Sequence, residues 1–362
     1  MHSALERLDA NRLRVHTRGG LDIVLYANES VFLDAASVDE IVSFATITDT
    51  LAALNRHGAF ADVEARLERV VLTPDFHRGA GIPVGTDIGC GMRLLATDIA
   101  AEEIARLDGD ALDARLRYVF FEGGRNIPLS AAQRAGLFRA GLQGLVGERH
   151  AGEGIWNFWD EAAQVSDLMR THRLGALPTD GIFGLDDFIE GSGEAFTRDG
   201  QIGSIGGGNH FVEIQRIEEV LDGATARDWG LKKGAVAIMA HSGSVGIGHL
   251  VGRHFADVAK AAFPRGMQHP GHHFYPLATA REEGRRYLSA MGNAANFAYA
   301  NRLFLGLMVV RSLSEALGRE VDARLVYDAP HNLVWADGDH RMIHRKGPKA
   351  PRRTPISPGA IR

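Results

Sequence analysis

The sequence predicts a single domain of the mixed α+β class. Three observations lead to this prediction. Segments with strand-like alternation and segments with helical periodicity follow one another along the chain, no linker-like stretch separates them, and no internal repeat is present. With 362 residues, 45% of them hydrophobic, the chain is long enough to bury a large core. We therefore expect one domain over residues 1–362.

The first half of the chain begins with strands and continues mainly with helices. Residues 13–35 alternate between apolar and polar side chains, which favours short strands. Residues 36–70 are predicted to be helical, with one apolar face near Val38 and a second run over 61–70. The remaining predicted elements of this half are strands at 69–73 and 92–99 and helices at 101–116, 131–146 and 156–173.

The second half begins with a predicted loop and alternates again between strands and helices. Residues 180–200 are acidic and rich in glycine, which is typical of a loop. The predicted strands are 202–217, 235–240, 324–334 and 341–344, and the predicted helices are 248–263 and 282–317. Because the last helix is almost entirely apolar around 304–310, we expect it to be buried.

Composition and charge exclude several classes of protein. A net charge of −5 does not attract polyanions, so any contact with nucleic acid needs a local basic patch. A single cysteine excludes an internal disulfide framework and is typical of the reducing cytoplasm. Neither a signal-like apolar run at the start nor a membrane-spanning segment is found. We therefore expect a cytoplasmic protein without a membrane partner.

The short stretch around the single cysteine is the first candidate site. Asp87 and Cys90 lie three residues apart between glycines, which let the backbone approach a ligand closely. A carboxylate oxygen and a thiolate together suit a borderline divalent ion such as manganese, zinc or iron. A lone cysteine is more often a small buried apolar residue, so two donors do not establish a site.

Three histidines supply the further donors that such a site needs. We expect His210, His241 and His331 each to lie at the end of an apolar strand, within a glycine-rich or otherwise polar loop. Taken singly, each is more often structural or exposed. Together with Asp87 and Cys90 they exceed the four ligands of one tetrahedral ion and suit two ions bridged by the thiolate.

Glycine-rich loops beside these histidines add possible anion contacts. Residues 203–210 and 242–248 offer unhindered backbone N–H groups, and the second loop leads into the helix predicted to start near Gly248. A helix N-terminus favours an anion. From chemistry alone, the sequence predicts a dinuclear metal site that acts on a phosphate.

Several motifs resemble those of one enzyme family. In chain order they are Asp-Ile-Gly-Cys-Gly-Met at 87–92, Gly-Asn-His-Phe-Val-Glu at 208–213, His-Ser-Gly-Ser at 241–244, Ala-Asn-Arg at 300–302, His-Asn at 331–332 and His-Arg-Lys-Gly at 344–347. This set resembles the RtcB family of RNA-splicing ligases over residues 70–347, and its order is far more specific than any one motif. Residues 348–362 form a divergent basic tail.

The resemblance implies an RNA ligase that depends on GTP and two manganese ions. Members of the family join an RNA 3′-phosphate or 2′,3′-cyclic phosphate to a 5′-hydroxyl, as in RNA repair and tRNA splicing. A histidine attacks GTP, guanylate passes to the RNA 3′-phosphate, and the 5′-hydroxyl displaces it. The resemblance also implies an RtcB-like domain, with central sheets flanked by helices and the metal site at strand ends.

The family's site residues carry over where this sequence matches. The implied manganese ligands are Asp87, Cys90, His210, His241 and His331, with Cys90 shared between the ions. The implied contacts to GTP or phosphate are Asn209, Glu213, His331, Asn332, Arg345 and Lys346, although the two basic residues also fit an ordinary surface pair. Asp75 and His77 match a Pro-Asp-x-His segment near the metal pocket.

The chain also departs from the family pattern. The segment before Asp87 is short, and Val245 stands where the family often has arginine. None of the 362 residues matches the family's guanylylated histidine, so we expect ligation to be impaired. A metal-dependent phosphoesterase and an inactive paralogue that binds metal or RNA stay as alternatives. The RNA substrate, the native metal, the oligomeric state and any need for an activating protein stay open.

Overall fold

The computed structural model describes residues 2–60, 64–72, 87–146, 154–182, 201–271, 274–336, 338 and 341–345, without the side chains of Ala131 and Arg345. The chain divides into two compact units. Unit 1 comprises Met1–Thr86 and Gly252–Leu288, and unit 2 comprises Asp87–Val251 and Ser289–Arg362. Both helices and sheets are present, which confirms the predicted α+β class. That the whole chain forms one domain stays a prediction.

The first segment of unit 1 contains a small sheet and two helices. Its strands are β1 (Leu5–Asp9), β2 (Arg12–Val15), β3 (Asp22–Tyr26) and β4 (Arg69–Leu72), joined in that order. Its first two helices are α1 (Ala35–Phe44) and α2 (Ile47–Arg56). Neighbouring strands are antiparallel except for the parallel pair β3 and β4. Val15 and Ile23 anchor the core beneath this sheet.

The helix predicted over residues 61–70 is wrong for the part that the structure describes. Residues 64–68 have no regular structure, and strand β4 begins at Arg69. The side chain of Asn55 bonds the backbone of Ala65 on both sides, donating to its carbonyl at 2.7 Å and accepting from its N–H at 2.9 Å. These two bonds replace the partners that a helix would supply.

Unit 2 is built on a four-stranded antiparallel sheet. Its strands are β5 (Gly91–Ala100), β6 (Phe211–Arg216), β7 (Ala235–Ser242) and β8 (Ala323–Pro330), in the spatial order β6-β7-β5-β8. A separate hairpin joins β9 (Leu333–Ala336) to β10 (Met342–Arg345). The strand predicted over 202–217 therefore begins only at Phe211, and the strand predicted over 324–334 is two strands.

The remaining helices differ from their predicted bounds at identifiable residues. They are α3 (Ala101–Ala105), α4 (Gly109–Phe121), α5 (Ala131–Ala140), α6 (Glu161–Leu168), α7 (Gly223–Trp229), α8 (Val245–Ala261) and α9 (Glu282–Leu317). Asp108 caps α4 and so divides the helix predicted over 101–116. Gly141, with φ of 57°, ends α5 before a short 3-10 turn. The helix predicted over 156–173 is only α6, with short 3-10 turns on either side.

Helix α9 is largely buried in unit 2, as predicted from its apolar sequence. Phe304, Leu305 and Met308 are fully buried. Val309 and Leu313 pack with residues of strands β5, β7 and β8. In the part of the chain that the structure describes, no helix is both long enough and apolar enough to cross a membrane.

The strand register brings the candidate donors to one end of the large sheet. Gly91 at the start of β5 pairs with Ser242 on one side and with Pro330 on the other, while Phe211 pairs with His241. The approach at Gly91 is close, because a Cβ built there would lie 2.4 Å from the carbonyl oxygen of Ala329. A glycine is therefore required where the sheet carries Cys90 into position.

This close contact gives a first prediction. We expect Gly91→Ala to lower the free energy of unfolding by about 3 kcal/mol, since the rigid backbone of β8 must move to admit the methyl group. Urea unfolding followed by circular dichroism measures this loss. Gly109→Ala is the control, because nothing lies within 4 Å of its Cβ position at the start of α4. An equal loss in both variants would contradict the steric explanation.

Candidate metal centre

The turn that carries Asp87 and Cys90 is fixed by backbone hydrogen bonds. The Cys90 N–H donates to the Asp87 carbonyl at 3.2 Å, and the Gly89 N–H donates to the Asn332 carbonyl at 3.0 Å. The His331 N–H donates to the Cys90 carbonyl at 2.7 Å. The turn before β5 is thereby joined to the segment after β8, so that Asp87, Cys90 and His331 are held near one another.

The five predicted donors form one continuous cluster, which we call the donor cluster. The Cys90 Sγ lies 3.0 Å from His241 Nε2 and 3.3 Å from His210 Nε2. His210 Nε2 lies 3.0 Å from Asp87 Oδ2, and His241 Nε2 lies 3.2 Å from His331 Nε2. The donor atoms of Cys90, His210 and His241 all lie within 4.8 Å of one another.

Backbone carbonyls fix the orientation of two of the rings. His210 Nδ1 lies 2.9 Å from the Ile205 carbonyl oxygen, and His241 Nδ1 lies 3.1 Å from the Asn209 carbonyl oxygen. Each Nδ1 therefore carries a proton and donates it to a carbonyl, which leaves Nε2 of the neutral ring as an electron-pair donor. Histidines that bind metals are commonly held in this way.

Burial and neighbouring charges hold three of the donors in the protonation states that a metal requires. Burial lowers the pKa of His331 to about 4, helped by the charges of His241 and Arg302. Burial and the charge of His210 also lower the pKa of His241. Burial alone would raise the pKa of Asp87. Its hydrogen bonds to His210 and Cys90 and the charges of His210 and His241 lower the pKa by more, so the net shift is downward. At neutral pH, His241 and His331 are therefore neutral and Asp87 is ionised.

The chemistry of this donor set fits a borderline divalent ion. A thiolate, a carboxylate oxygen and three imidazole nitrogens are ligands suited to manganese, iron or zinc. Several electron-pair donors face one another at about 3 Å, an arrangement that hydrogen bonds alone do not satisfy. A bound cation would accept their electron pairs. The identity of these residues as ligands stays a prediction that this geometry supports.

A buried arginine that sequence reasoning did not assign holds the cluster's backbone. Arg302 of α9 is fully buried and contacts Asp328 Oδ1 through Nε at 3.0 Å and Nη2 at 2.8 Å. Its Nη1 donates to the carbonyls of Gly89 at 2.7 Å and Ser242 at 3.1 Å. These carbonyls immediately precede Cys90 and follow His241. The available signals were the Ala-Asn-Arg motif at 300–302 and the position of this arginine next to the apolar run 303–310.

The preceding residue, Asn301, holds the two glycine-rich loops. Its side-chain amide donates to the carbonyls of Ser204 and Gly243 at 2.9 and 3.0 Å, and its Oδ1 accepts from the Ser204 N–H at 3.1 Å. The hydroxyl of Ser244 donates to the Ile88 carbonyl. The Ala-Asn-Arg motif therefore joins both loops to α9 through polar contacts made inside the core.

The structure separates the remaining predicted residues into three groups. Asn209 and Glu213 are exposed, and Glu213 accepts from Gln215 Nε2 at 2.7 Å. Asn332 is buried and donates to the Asp87 carbonyl at 2.8 Å, which is a contact to the turn. Their contacts to nucleotide or phosphate stay predictions. Asp75, His77 and Lys346 lie outside the described residues, as does the side chain of Arg345.

The helix after the second glycine-rich loop starts earlier than predicted. It begins at Val245, and the N–H of Gly246 donates to Gln201 Oε1 at 2.8 Å. One first-turn donor that was expected to face an anion is therefore already used. Val245 has φ of 49°, an unusual value for a β-branched residue and a local strain close to the donor cluster.

An α+β fold with a cysteine sulfur, a carboxylate and three imidazoles at one end of a sheet defines a candidate metalloprotein. The family model described as tRNA-splicing ligase RtcB matches residues 58–356 of this chain. The chain belongs to the RtcB family, which confirms the resemblance drawn from its motifs.

Individual relatives support the same assignment. The chain is 28% identical to the tRNA-splicing ligase RtcB of Thermococcus kodakarensis, over 76% of this chain and 60% of that protein. It is 32% identical to the RNA-splicing ligase RtcB of Mycobacterium bovis, over 76% and 66%. It is 27% identical to the tRNA-splicing ligase RtcB of Nanoarchaeum equitans, over 78% of this chain and 61% of that protein. The chain thus spans less than two thirds of the length of these relatives.

The contacts of Arg302 give a second prediction. We expect Arg302→Lys to lower the free energy of unfolding by about 3 kcal/mol, because lysine leaves Asp328 and two buried carbonyls with too few donors. We also expect weaker manganese binding, since Cys90 and His241 lose their support. Urea unfolding and equilibrium dialysis with manganese measure the two effects.

The matched control lies on the same helix. Arg311 pairs with Glu315 at 3.0 Å in a more accessible position, so Arg311→Lys should cost less than about 1 kcal/mol and leave manganese binding unchanged. If Arg302→Lys binds manganese as the wild type does, Arg302 does not support the donor cluster.

The lowered histidine pKa gives a third prediction, for the metal-free chain. The pKa of His331 is about 4 in the folded state and 6.5 without its environment. The unfolded chain therefore binds the proton more readily, so stability present above pH 6.5 is lost as the pH falls toward 4. We expect a loss of about 2 kcal/mol between about pH 7 and pH 4.5, measured by urea unfolding with a chelator.

Two variants test the origin of this loss. His331→Gln should make the free energy of unfolding less dependent on pH, whereas His57→Gln, at an exposed position, should not. A pH dependence that His331→Gln leaves unchanged would assign the effect to other groups.

Proposed function

We propose that this chain joins RNA ends by a manganese- and GTP-dependent reaction, linking a 3′-phosphate or 2′,3′-cyclic phosphate to a 5′-hydroxyl. Membership of the RtcB family supports the reaction class. The observation that carries the proposal is the donor cluster, in which five side chains from four segments meet at one end of the sheet. We place the reaction in the cytoplasm, which keeps a thiol such as Cys90 reduced.

The chain's own residues would contribute binding and positioning. Asp87, Cys90, His210, His241 and His331 would hold two manganese ions, with the Cys90 thiolate shared between them. When bound, the ions would supply positive charge that orients phosphate groups and offsets the negative charge that develops in phosphoryl transfer. The carbonyls that orient His210 and His241 keep their Nε2 atoms turned toward the cluster.

The nucleotide and phosphate contacts are proposed for the residues around this cluster. Asn209 and Glu213 are exposed beside it and would contact guanylate. Asn332, Arg345 and Lys346 would contact phosphate, as would His331. Which side chain accepts guanylate is a separate question, because no histidine of this sequence matches the family's guanylylated position. His344, whose Nε2 lies 3.3 Å from Asn332 Oδ1, is the first to examine.

The fourth prediction tests the reaction directly. The purified chain is incubated with manganese, GTP and two RNA strands, one with a 3′-phosphate and the other with a 5′-hydroxyl. Because no histidine of this sequence matches the guanylylated position, we expect a low yield of joined RNA that depends on both GTP and manganese, and a weak protein band labelled from α-phosphate-labelled GTP. Cys90→Ala should lose bound manganese and both products, because the shared ligand is missing. His57→Ala, changed at an exposed position, should retain them.

Other outcomes separate the alternatives. Phosphate release without GTP would indicate a metal-dependent phosphoesterase. Manganese uptake without labelling or joining would indicate a metal-binding paralogue. Unchanged manganese content in Cys90→Ala would contradict the assignment of the shared thiolate.

A further inference from the structure

A cleft lies at the end of the large sheet opposite to the donor cluster. It has a volume of about 620 Å³ and is lined by the end of β5, the starts of β7 and β8 and the loop after α7. Cys90 precedes β5, and the cleft is lined on that strand by Ala96–Ala100, so a rise of about 3.4 Å per residue places the nearest of them about 20 Å from Cys90. The cleft is thus distinct from the donor cluster.

Four basic side chains line this cleft, and all are exposed. Arg227 lies in the last turn of α7, Lys232 and Lys233 form the turn before β7, and Arg324 lies on β8. Among the described residues, none of the four pairs with a carboxylate or makes a side-chain hydrogen bond. Four neighbouring cations repel one another, and an anion among them would remove that repulsion.

The backbone favours this grouping of cations. Gly230 has φ of 73° and ends α7, where the Leu231 N–H donates to the Ala226 carbonyl at 2.8 Å. A Cβ built at Gly230 would lie 3.6 Å from the guanidinium carbon of Arg324. The sharp turn after α7 therefore brings Arg324 beside the segment that carries the other three cations.

Carboxylates form a second group in the same cleft. Asp98 is paired with Arg319 at 2.7 Å and accepts from the Asp322 N–H at 3.1 Å. Glu102 and Asp322 are exposed and line the cleft. A long polyanion crossing the cleft would meet these carboxylates, whereas hydroxyl groups could donate to them. The charges therefore favour a compact ligand over an extended nucleic-acid strand.

We propose that this cleft binds a small phosphorylated ligand that also carries hydroxyl groups, such as a sugar phosphate or nucleotide. The phosphate would lie among Arg227, Lys232, Lys233 and Arg324, since guanidinium and ammonium groups are the usual phosphate partners. The hydroxyls would donate to Glu102 and Asp322. The volume lies within the range common for small-molecule sites. This proposal does not depend on the proposed ligase activity.

Binding to the full chain tests the proposal, with a chelator present so that the donor cluster holds no metal. Titration calorimetry is performed with ribose 5-phosphate and with inorganic pyrophosphate, and we expect both to bind. The double variant Lys232→Gln, Lys233→Gln should weaken both by roughly tenfold or more. Lys260→Gln, exposed on α8, is the control and should change neither affinity by more than about twofold.

A carboxylate variant tests the second half of the site. Glu102→Gln should weaken the binding of ribose 5-phosphate more than the binding of pyrophosphate, because only the sugar phosphate has hydroxyl groups that can donate hydrogen bonds to this side chain. Absence of binding to the wild type, or equal binding to the double lysine variant, would overturn the proposal. The proposal would also be overturned if single-stranded RNA bound at these lysines more tightly than ribose 5-phosphate, with an affinity that rises with RNA length.

Discussion

The buried ion pair between Arg302 and Asp328 is the interaction on which the candidate metal centre depends. Both side chains are fully buried, and Arg302 also reaches the carbonyls before Cys90 and after His241. Burial of a charged pair costs desolvation energy, which is offset only when the remaining donors and acceptors are also satisfied. Here Nη1 of Arg302 donates to the backbone carbonyls of Gly89 and Ser242, so the ion pair joins α9 to the start of β5 and the end of β7.

The same carboxylate extends the network to a second arginine. Asp328 Oδ2 lies 3.4 Å from Arg93, which in turn lies 3.1 Å from Asp167 of α6. Burial raises the pKa of Asp167, although the charge of Arg93 and a backbone hydrogen bond from Leu325 oppose this rise. Two arginines and two aspartates therefore form one buried set within unit 2. Removal of one member would leave a buried charge of another without its partner. The intact network therefore holds the strand ends in place.

The sequence predicted the donors better than the elements that position them. Asp87 and Cys90 are visible because glycines flank them, and the three histidines because they lie in polar or glycine-rich segments next to apolar strands. The expected position at the end of a strand holds only for His331, since His210 precedes β6 and His241 lies within β7. Arg302 and Asn301 were quoted only as part of a motif, because their contacts are with distant backbone carbonyls that no local pattern reveals. Element bounds failed for similar reasons. The side chain of Asn55 makes two hydrogen bonds to the backbone of Ala65, where the sequence predicted a helix. A contact between residues ten positions apart leaves no periodic signal in the sequence.

The metal centre also relates to the stability of the fold. The donors come from four segments, at Asp87–Cys90, His210, His241 and His331, that are far apart in sequence. Two ions bound by these donors would close three long loops at once, and their binding energy would add to the stability of the folded state. Without an ion, the five side chains still lie close together, because Arg302 and Asn332 hold the backbone that carries them. The buried polar network therefore preorganises the donors, so that ion binding need not organise the strand ends.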